Sequence, residues 1–176
     1  KAGTETITAT GSNGKKATCK VTVVSLSKTK YTLGVKEKYT LKVNGTKKKV
    51  TWKSSSKNVS VSGGKVTAKK KGSATISATV EGVTLKCKVT VKAAPSKLIL
   101  KSKKKVTIKK NKTTQIKVNL PKNTAGELKY KSSKTKIATV DAKGKVKGKK
   151  KGTAKITVYA VNNSKKAKAT VTVTVK

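Results

Sequence analysis

Apolar and polar residues alternate along much of the chain, and the stretch LKCKVTVK at residues 85–92 shows the pattern clearly. Leu85, Cys87, Val89 and Val91 fall on one face of an extended strand, whereas the lysines fall on the other. Gly, Asn, Ser and Lys interrupt the alternating stretches at short intervals, as turn residues do between strands. The pattern predicts an all-β chain that buries its apolar faces and turns its lysines to water.

One such pattern is written three times, at residues 1–23, 69–91 and 149–173. The first copy has Gly3, Ile7 and Cys19 where the second has Gly72, Ile76 and Cys87 and the third has Gly152, Ile156 and Ala169. Further upstream, the matching pairs are Trp52 with Tyr130, Val66 with Val146, and the set Tyr31, Leu33, Leu41 and Val43 with Val106, Ile108, Ile116 and Val118. Repeats of this length, each made of several short strands, indicate tandem all-β domains.

The repeats predict tandem antiparallel β-sandwiches of immunoglobulin (Ig) type over residues 25–92 and 93–176. Residues 1–24 correspond to only the last two strands of a repeat, so we expect a longer array that begins upstream. Because a lone hairpin is marginal in water, the apolar face that includes Ile7, Cys19, Val21 and Val23 is expected to be covered. The alternative is that the hairpin adds to the edge of a neighbouring sandwich.

The charge of the chain narrows the candidate partners. The sequence has 46 basic residues, all of them lysine, against five acidic residues, and its formal net charge is +41. Such a charge favours contact with polyanions, whether wall polymers, acidic glycans or nucleic acid. Sequence-specific DNA recognition is disfavoured, because paired contacts to guanine use the guanidinium fork of arginine.

The densest lysine clusters are the candidate polyanion-binding residues. They are Lys47, Lys48, Lys49, Lys69, Lys70, Lys71, Lys103, Lys104, Lys105, Lys149, Lys150 and Lys151. The segment VKGKKKGTAKITV at residues 146–158 is interpreted as a solvated junction between two strands, with Gly148 and Gly152 easing the turn. A dedicated nucleic-acid motif is the alternative for this segment.

Catalytic and metal-binding chemistry finds little support in the sequence. The five carboxylates are scattered, histidine is absent, and lysine is the only base available to activate a serine. Zinc or calcium would need clustered Cys and His or converging oxygens. We therefore predict a non-enzymatic protein with no cofactor and no metal. No apolar run reaches the ~18 residues of a transmembrane helix.

Cysteine and aromatic residues are interpreted as core residues. Cys19 and Cys87 share one strand position in successive repeats, so each is predicted to be a small buried hydrophobe. An intermolecular disulfide is the alternative. Trp52 and Tyr130 are predicted to plug the cores of their sandwiches, with a stacking platform for bases or sugars as the alternative.

At these residues the chain resembles the bacterial Ig-like domains of group 2, tandem modules of intimin-like and invasin-like surface proteins and of some secreted enzymes. The later copy carries the motif at Tyr130, Ser132, Ser133, Ile137, Ala138, Gly144, Val146, Gly152, Thr153, Ala154 and Ile156. The earlier copy carries it at Trp52, Ser54, Ser55, Val59, Gly64, Val66, Gly72, Ala74 and Ile76. Val59 is aligned with Ile137, and Ser60 takes the place of the small apolar residue Ala138.

The resemblance implies a stalk, spacer or adhesive module that is extracellular or on a bacterial cell surface, and it brings no catalytic residues. Our first hypothesis is a non-enzymatic structural or adhesive module whose lysine coat contacts teichoic acid or acidic glycans. The alternatives are a non-specific nucleic-acid-binding protein and the accessory spacer of a secreted multidomain enzyme. Self-association, head to tail or through strand edges, is a further expectation.

Overall fold

The computed structural model describes residues 2–176, and the regular secondary structure of this part of the chain consists of β-strands apart from one short 3-10 turn, which confirms the all-β prediction. The strands of the first half are β1 (Gly3–Thr10), β2 (Lys16–Val23), β3 (Ser25–Leu26), β4 (Lys30–Gly34), β5 (Lys38–Thr40), β6 (Val43–Asn44), β7 (Thr51–Ser54), β8 (Val59–Ser62), β9 (Lys65–Ala68), β10 (Gly72–Val80) and β11 (Val83–Lys92). The strands of the second half are β12 (Ile99–Leu100), β13 (Lys105–Ile108), β14 (Thr113–Gln115), β15 (Val118–Asn119), β16 (Leu128–Ser132), β17 (Ala138–Val140), β18 (Lys145–Gly148), β19 (Gly152–Ala160) and β20 (Lys168–Val175).

The backbone divides into two compact units, Lys1–Thr32 with Lys38–Thr90, and Leu33–Glu37 with Val91–Lys176. The helix described, a 3-10 turn at Val161–Asn163, is far too short to cross a membrane.

The second unit is a β-sandwich of a four-stranded sheet, β13-β20-β19-β16, and a three-stranded sheet, β14-β18-β17. Alternation places the apolar residues of both sheets on the inside. The buried core consists of Ile108, Ile116, Ala138, Val146, Ala154, Ile156, Val171, Val173 and Val175. Strands β12 and β15 pair with each other in a separate two-stranded sheet.

The same order occurs earlier in the chain, in the sheets β4-β11-β10-β7, β5-β9-β8 and β3-β6. In β11 the residues Cys87, Val89 and Val91 are buried, Leu85 is half-buried, and Lys86, Lys88 and Lys92 are exposed. The predicted alternation is therefore confirmed residue by residue in this strand.

The pairing of β13 differs from the predicted antiparallel sheets. Strand β13 pairs parallel with β20, with Lys105 opposite Thr172 and Ile108 opposite Val175. A parallel pair needs a long crossover connection, and strands β14 to β19 supply it here. Hydrophobic alternation alone does not distinguish the two directions, because side chains alternate in both.

The N-terminal hairpin departs from the expectation that its apolar face is covered. Ile7, Val21 and Val23 are 60%, 38% and 50% exposed, and Cys19 is exposed as well. Strands β1 and β2 pair only with each other. The expectation of a covered face is therefore wrong for the chain as the structure describes it, and the burial predicted for Cys19 is wrong for the same reason.

The structure also corrects two alignments between repeats. Ile7 pairs with Cys19, and Ile156 pairs with Val171, so Val171 rather than Ala169 is the counterpart of Cys19. Val59 and Ala138 each open the inner strand that pairs with β9 or β18, and both are buried. Val59 therefore corresponds to Ala138. Val59 fills the apolar position that the sequence alignment had assigned to Ser60.

Candidate polyanion-binding surface

Every lysine among residues 2–176 is exposed to solvent. Strand β18 shows why, because Lys145 and Lys147 point outward while Val146 and Gly148 are buried. The lysines occupy the outer positions of alternating strands or the turns between strands, where ammonium groups keep their hydration. The fold therefore presents nearly its whole positive charge to the solvent.

Few carboxylates compensate this charge. In the described part of the chain, ion pairs are limited to Lys48 with Glu81, at 3.6 Å, and Lys129 with Glu127, at 3.9 Å. Both pairs are largely exposed, so each contributes little to stability. Within residues 2–176, the other ammonium groups have no carboxylate partner that would compete with an external anion.

The predicted lysine clusters lie between strands, except that Lys105 opens β13. Residues 47–49 connect β6 to β7, residues 69–71 connect β9 to β10, residues 103–105 lead into β13, and residues 149–151 connect β18 to β19. Two of these turns are held in the same way. The backbone N–H groups of Lys69 and Lys70 donate to the Asn58 carbonyl oxygen at 2.8 and 3.1 Å.

In the later repeat, Lys149 and Lys150 donate in the same manner to the Ile137 carbonyl oxygen, at 2.7 and 3.3 Å. The backbone of each turn is thus committed to the fold, which supports the interpretation of residues 146–158 as a strand junction. The lysine side chains of the turn remain free for ligands.

One groove of about 600 Å³ in the second unit brings together lysines that are distant in sequence. Its lining residues are Ser133, Lys134, Thr135, Lys136, Ile137, Lys150 and Lys151. Lys150 and Lys151 belong to the predicted clusters, whereas Lys134 and Lys136 were missed. Only the backbone contact between the two loops could have revealed them, because alternating single lysines give no cluster signal.

A second groove, of about 750 Å³, lies in the first unit. It is lined by Thr4, Lys20, Thr22, Gly45, Thr46, Lys47, Lys48 and Glu81. The Glu81 carboxylate at this groove is paired with Lys48 and lowers the local positive charge. Lys47 and Lys48 are therefore placed beside a polar surface that is less strongly cationic than the groove of the second unit.

The aromatic residues predicted as core plugs are half-buried rather than enclosed. Trp52 and Tyr130 each pack on a glycine with positive φ, Gly64 and Gly144 respectively. A Cβ on Gly64 would lie 3.1 Å from Trp52 Cζ2, and one on Gly144 would lie 2.8 Å from Tyr130 Cζ. Tyr130 also packs against the core, and burial raises the pKa of its hydroxyl. The rings are structural, with one edge in solvent.

Other chemical groups are dispersed. Among residues 2–176, no three His, Cys, Asp or Glu side chains are grouped as a metal site requires. Burial raises the pKa of the Cys87 thiol, which lies in the core, whereas Cys19 lies on the exposed hairpin face. Tyr31 is also affected, since burial raises the pKa of its hydroxyl well above the ordinary value.

Comparison with known proteins identifies the later repeat. The family model described as bacterial Ig-like domain (group 2) matches residues 98–171, which confirms the predicted resemblance over these residues. Curated proteins give no significant match.

Several solved structures are similar to the chain. Domains 4 and 5 of the S-layer protein SbsC are 21% identical, with 72% of this chain and 75% of that chain covered and a TM-score of 0.40. A longer SbsC structure is 19% identical at a TM-score of 0.37, covering 99% of this chain, which spans only 35% of that one. A C-terminal fragment of intimin, solved with the intimin-binding domain of the translocated intimin receptor, is 22% identical, with 88% and 64% covered and a TM-score of 0.34.

Proposed function

We propose that the chain is a non-enzymatic structural or adhesive module of a bacterial surface or secreted protein, since residues 98–171 match the family model of bacterial Ig-like domains of group 2. Residues 25–92 and 93–176 serve as successive modules, and the lysine coat contacts polyanions such as teichoic acid and acidic glycans. The observation that carries this proposal is the exposure of every described lysine with only two ion pairs among them.

The physical basis of the binding is the release of counterions. Lysines that neutralise the charges of a polyanion displace the small ions condensed on it, which favours association at low salt. An ammonium group is a point charge that does not require one planar geometry, so many lysines can replace one another. The coat therefore binds polyanions diffusely and without strong preference among them.

A non-specific nucleic-acid-binding protein is the alternative with the same charge. It is less well supported, because single-stranded nucleic acid is usually held by exposed aromatic side chains. Trp52 and Tyr130 are half-buried on glycines instead. An accessory spacer of a secreted enzyme is a further alternative, which would keep the same surface chemistry.

Competition binding tests the proposal. Immobilised heparin-like glycan is saturated with the protein, which is then displaced by teichoic acid, by double-stranded DNA or by neutral dextran. We expect the two polyanions to displace it with similar effect per unit charge and dextran to have no effect. Failure of all polyanions to bind at low salt would refute the polyanion part of the proposal. A strong preference for DNA would favour the nucleic-acid alternative.

A further inference from the structure

The groove of the second unit is formed by two loops that the backbone fastens together. The loop between β16 and β17 contributes Lys134 and Lys136, and the turn between β18 and β19 contributes Lys150 and Lys151. The hydrogen bonds from Lys149 and Lys150 to the Ile137 carbonyl hold the turn against the loop. The convergence of these four lysines therefore follows from the fold and does not depend on their own side-chain conformations.

The base of the loop is fixed as well. The buried Ser132 hydroxyl donates to the Ala138 carbonyl oxygen at 2.7 Å and accepts from the Lys134 backbone N–H at 3.2 Å. Ser133 Oγ accepts a 2.9 Å hydrogen bond from the backbone N–H of Lys155. After accepting this bond, the Ser133 hydroxyl still has its O–H available to donate to a ligand.

The lining is therefore rich in donors and poor in competing acceptors. Four ammonium groups and the hydroxyls of Ser133 and Thr135 surround the groove, and its lining includes no carboxylate. The nearest carboxylate in sequence, Asp141, accepts hydrogen bonds from the backbone N–H groups of Lys143 and Lys145 and does not line the groove. An anion in this groove would meet donors from two loops at once.

We propose that this groove is a binding site for phosphate groups, on a flexible polymer without aromatic bases. A phosphate offers more acceptor oxygens than a carboxylate and can use several ammonium and hydroxyl donors together, and lysine binds it as a point charge. The volume of about 600 Å³ accommodates more than one phosphate in succession. No aromatic side chain lines the groove, so stacking of a base or sugar has no support there.

The corresponding loop of the earlier repeat differs in the residues that would bind a phosphate group. The loop between β7 and β8 has Ser56, Lys57 and Asn58 where the later loop has the longer series with Lys134 and Lys136. The Asn58 side-chain amide donates to the Lys71 carbonyl oxygen at 3.2 Å, so it is tied to the turn. The site is accordingly assigned to the later repeat alone.

This inference rests on the proposed polyanion binding, but it adds the groove as one preferred binding site. The test measures the dissociation constant of inorganic tripolyphosphate by titration calorimetry at physiological salt. The groove variant carries Lys134→Gln, Lys136→Gln, Lys150→Gln and Lys151→Gln. The matched control carries Lys109→Gln, Lys110→Gln, Lys165→Gln and Lys166→Gln, four exposed lysines of the same unit outside the predicted clusters, so that both variants lose the same charge.

We expect the groove variant to bind tripolyphosphate about tenfold or more weakly, and the affinity of the control variant to fall less than about threefold. Exposed charge contacts are individually weak, and they contribute only where the ligand is bound. In the unsubstituted protein, tripolyphosphate should shift the backbone amide signals of residues 133–137 and 149–151 most strongly, a readout that needs no variant. Thr135→Val, which keeps the charge, should weaken binding without changing the melting temperature.

Equal losses in the groove and control variants, or amide shifts spread evenly over the lysines, would overturn the assigned site and leave the diffuse polyanion binding intact. Absence of tripolyphosphate binding, with heparin-like glycan still bound, would also overturn the site. Absence of binding to every polyanion would refute the proposed function itself.

Discussion

Cys19 and Cys87 lie at corresponding positions of two β-hairpins, yet Cys19 is exposed and Cys87 is fully buried. Strand β11, which carries Cys87, has β4 and β10 as neighbours within a four-stranded sheet. Strand β2, which carries Cys19, pairs only with β1. The surrounding strands, and not the residue or its local pattern, therefore determine whether the sulfur is buried.

We expect a maleimide reagent to modify Cys19 in the folded protein and to leave Cys87 unmodified until the chain unfolds. Burial raises the pKa of the Cys87 thiol, so its thiolate is scarce near neutral pH, and the core shields the sulfur. Mass spectrometry of peptides after timed labelling measures both rates. Equal labelling rates in the native protein would show that Cys87 is not buried as described.

Gly64→Ala should destabilise the first unit by about 2 kcal/mol or more, because it adds both backbone strain and a close contact. Gly64 has φ +77°, and a Cβ there would clash with the Leu41 carbonyl oxygen and lie 3.1 Å from the Trp52 ring. The adjacent Gly63 is the control, since it has φ +52° but open space around its Cβ position. Urea unfolding monitored by Trp52 fluorescence should show the larger loss of stability for Gly64→Ala; equal losses would rule out close contact at Gly64 as the cause.

Tyr31→Phe is expected to leave stability unchanged or to raise it by about 1 kcal/mol, since an unpaired buried hydroxyl is costly. The Tyr31 hydroxyl is buried and has no hydrogen-bond partner among the described residues. Phenylalanine retains the ring, whose centroid lies 4.6 Å from the centroid of the Tyr39 ring. Tyr31→Ala removes the ring and should destabilise. A clear loss of stability in Tyr31→Phe would mean that the hydroxyl has a partner.

Asp141 should make stability depend on pH in the acid range. The backbone N–H of Lys145 donates to its carboxylate at 2.9 Å and lowers its pKa, and the Lys143 N–H, at 2.8 Å, acts in the same direction. A carboxyl with a lowered folded pKa stabilises the fold fully above its unfolded pKa of about 3.9, and the contribution is lost as pH falls through the folded value.

Asp141→Asn should therefore reduce the loss of stability that urea unfolding measures between about pH 7 and about pH 2. An identical acid response in Asp141→Asn and the unsubstituted protein would show that the turn does not depend on the carboxylate.

The strand content and most of the core could be predicted from the sequence, because alternation assigns each side chain to a face. Val89 and Val146 are buried where the pattern predicts, and the lysines beside them are exposed. The family resemblance, based on the series from Tyr130 to Ile156, is likewise confirmed over residues 98–171. These features depend on residues that are close together in the sequence, so the local residue pattern is enough to predict them.

The features that the sequence did not predict depend on contacts between distant segments. The parallel pairing of Lys105–Ile108 with β20 could not be predicted from the alternation, because apolar and polar residues alternate in the same way in parallel and antiparallel strands. Backbone hydrogen bonds to the Ile137 carbonyl oxygen bring the loop with Lys134 and Lys136 to the turn at residues 149–151. Such backbone bonds do not depend on residue type, so the sequence does not reveal them. The exposure of Cys19 likewise reflects strand neighbours that residue type does not determine.

The central claim is that the lysine coat binds polyanions through many exchangeable ionic contacts. The most direct test is the affinity for a heparin-like glycan and for random-sequence DNA over a series of salt concentrations. We expect the logarithm of the affinity to fall linearly with the logarithm of salt for both ligands, with a slope for DNA of about 0.9 per phosphate neutralised. Affinity that persists at high salt, or preference there for one DNA sequence, would contradict the account.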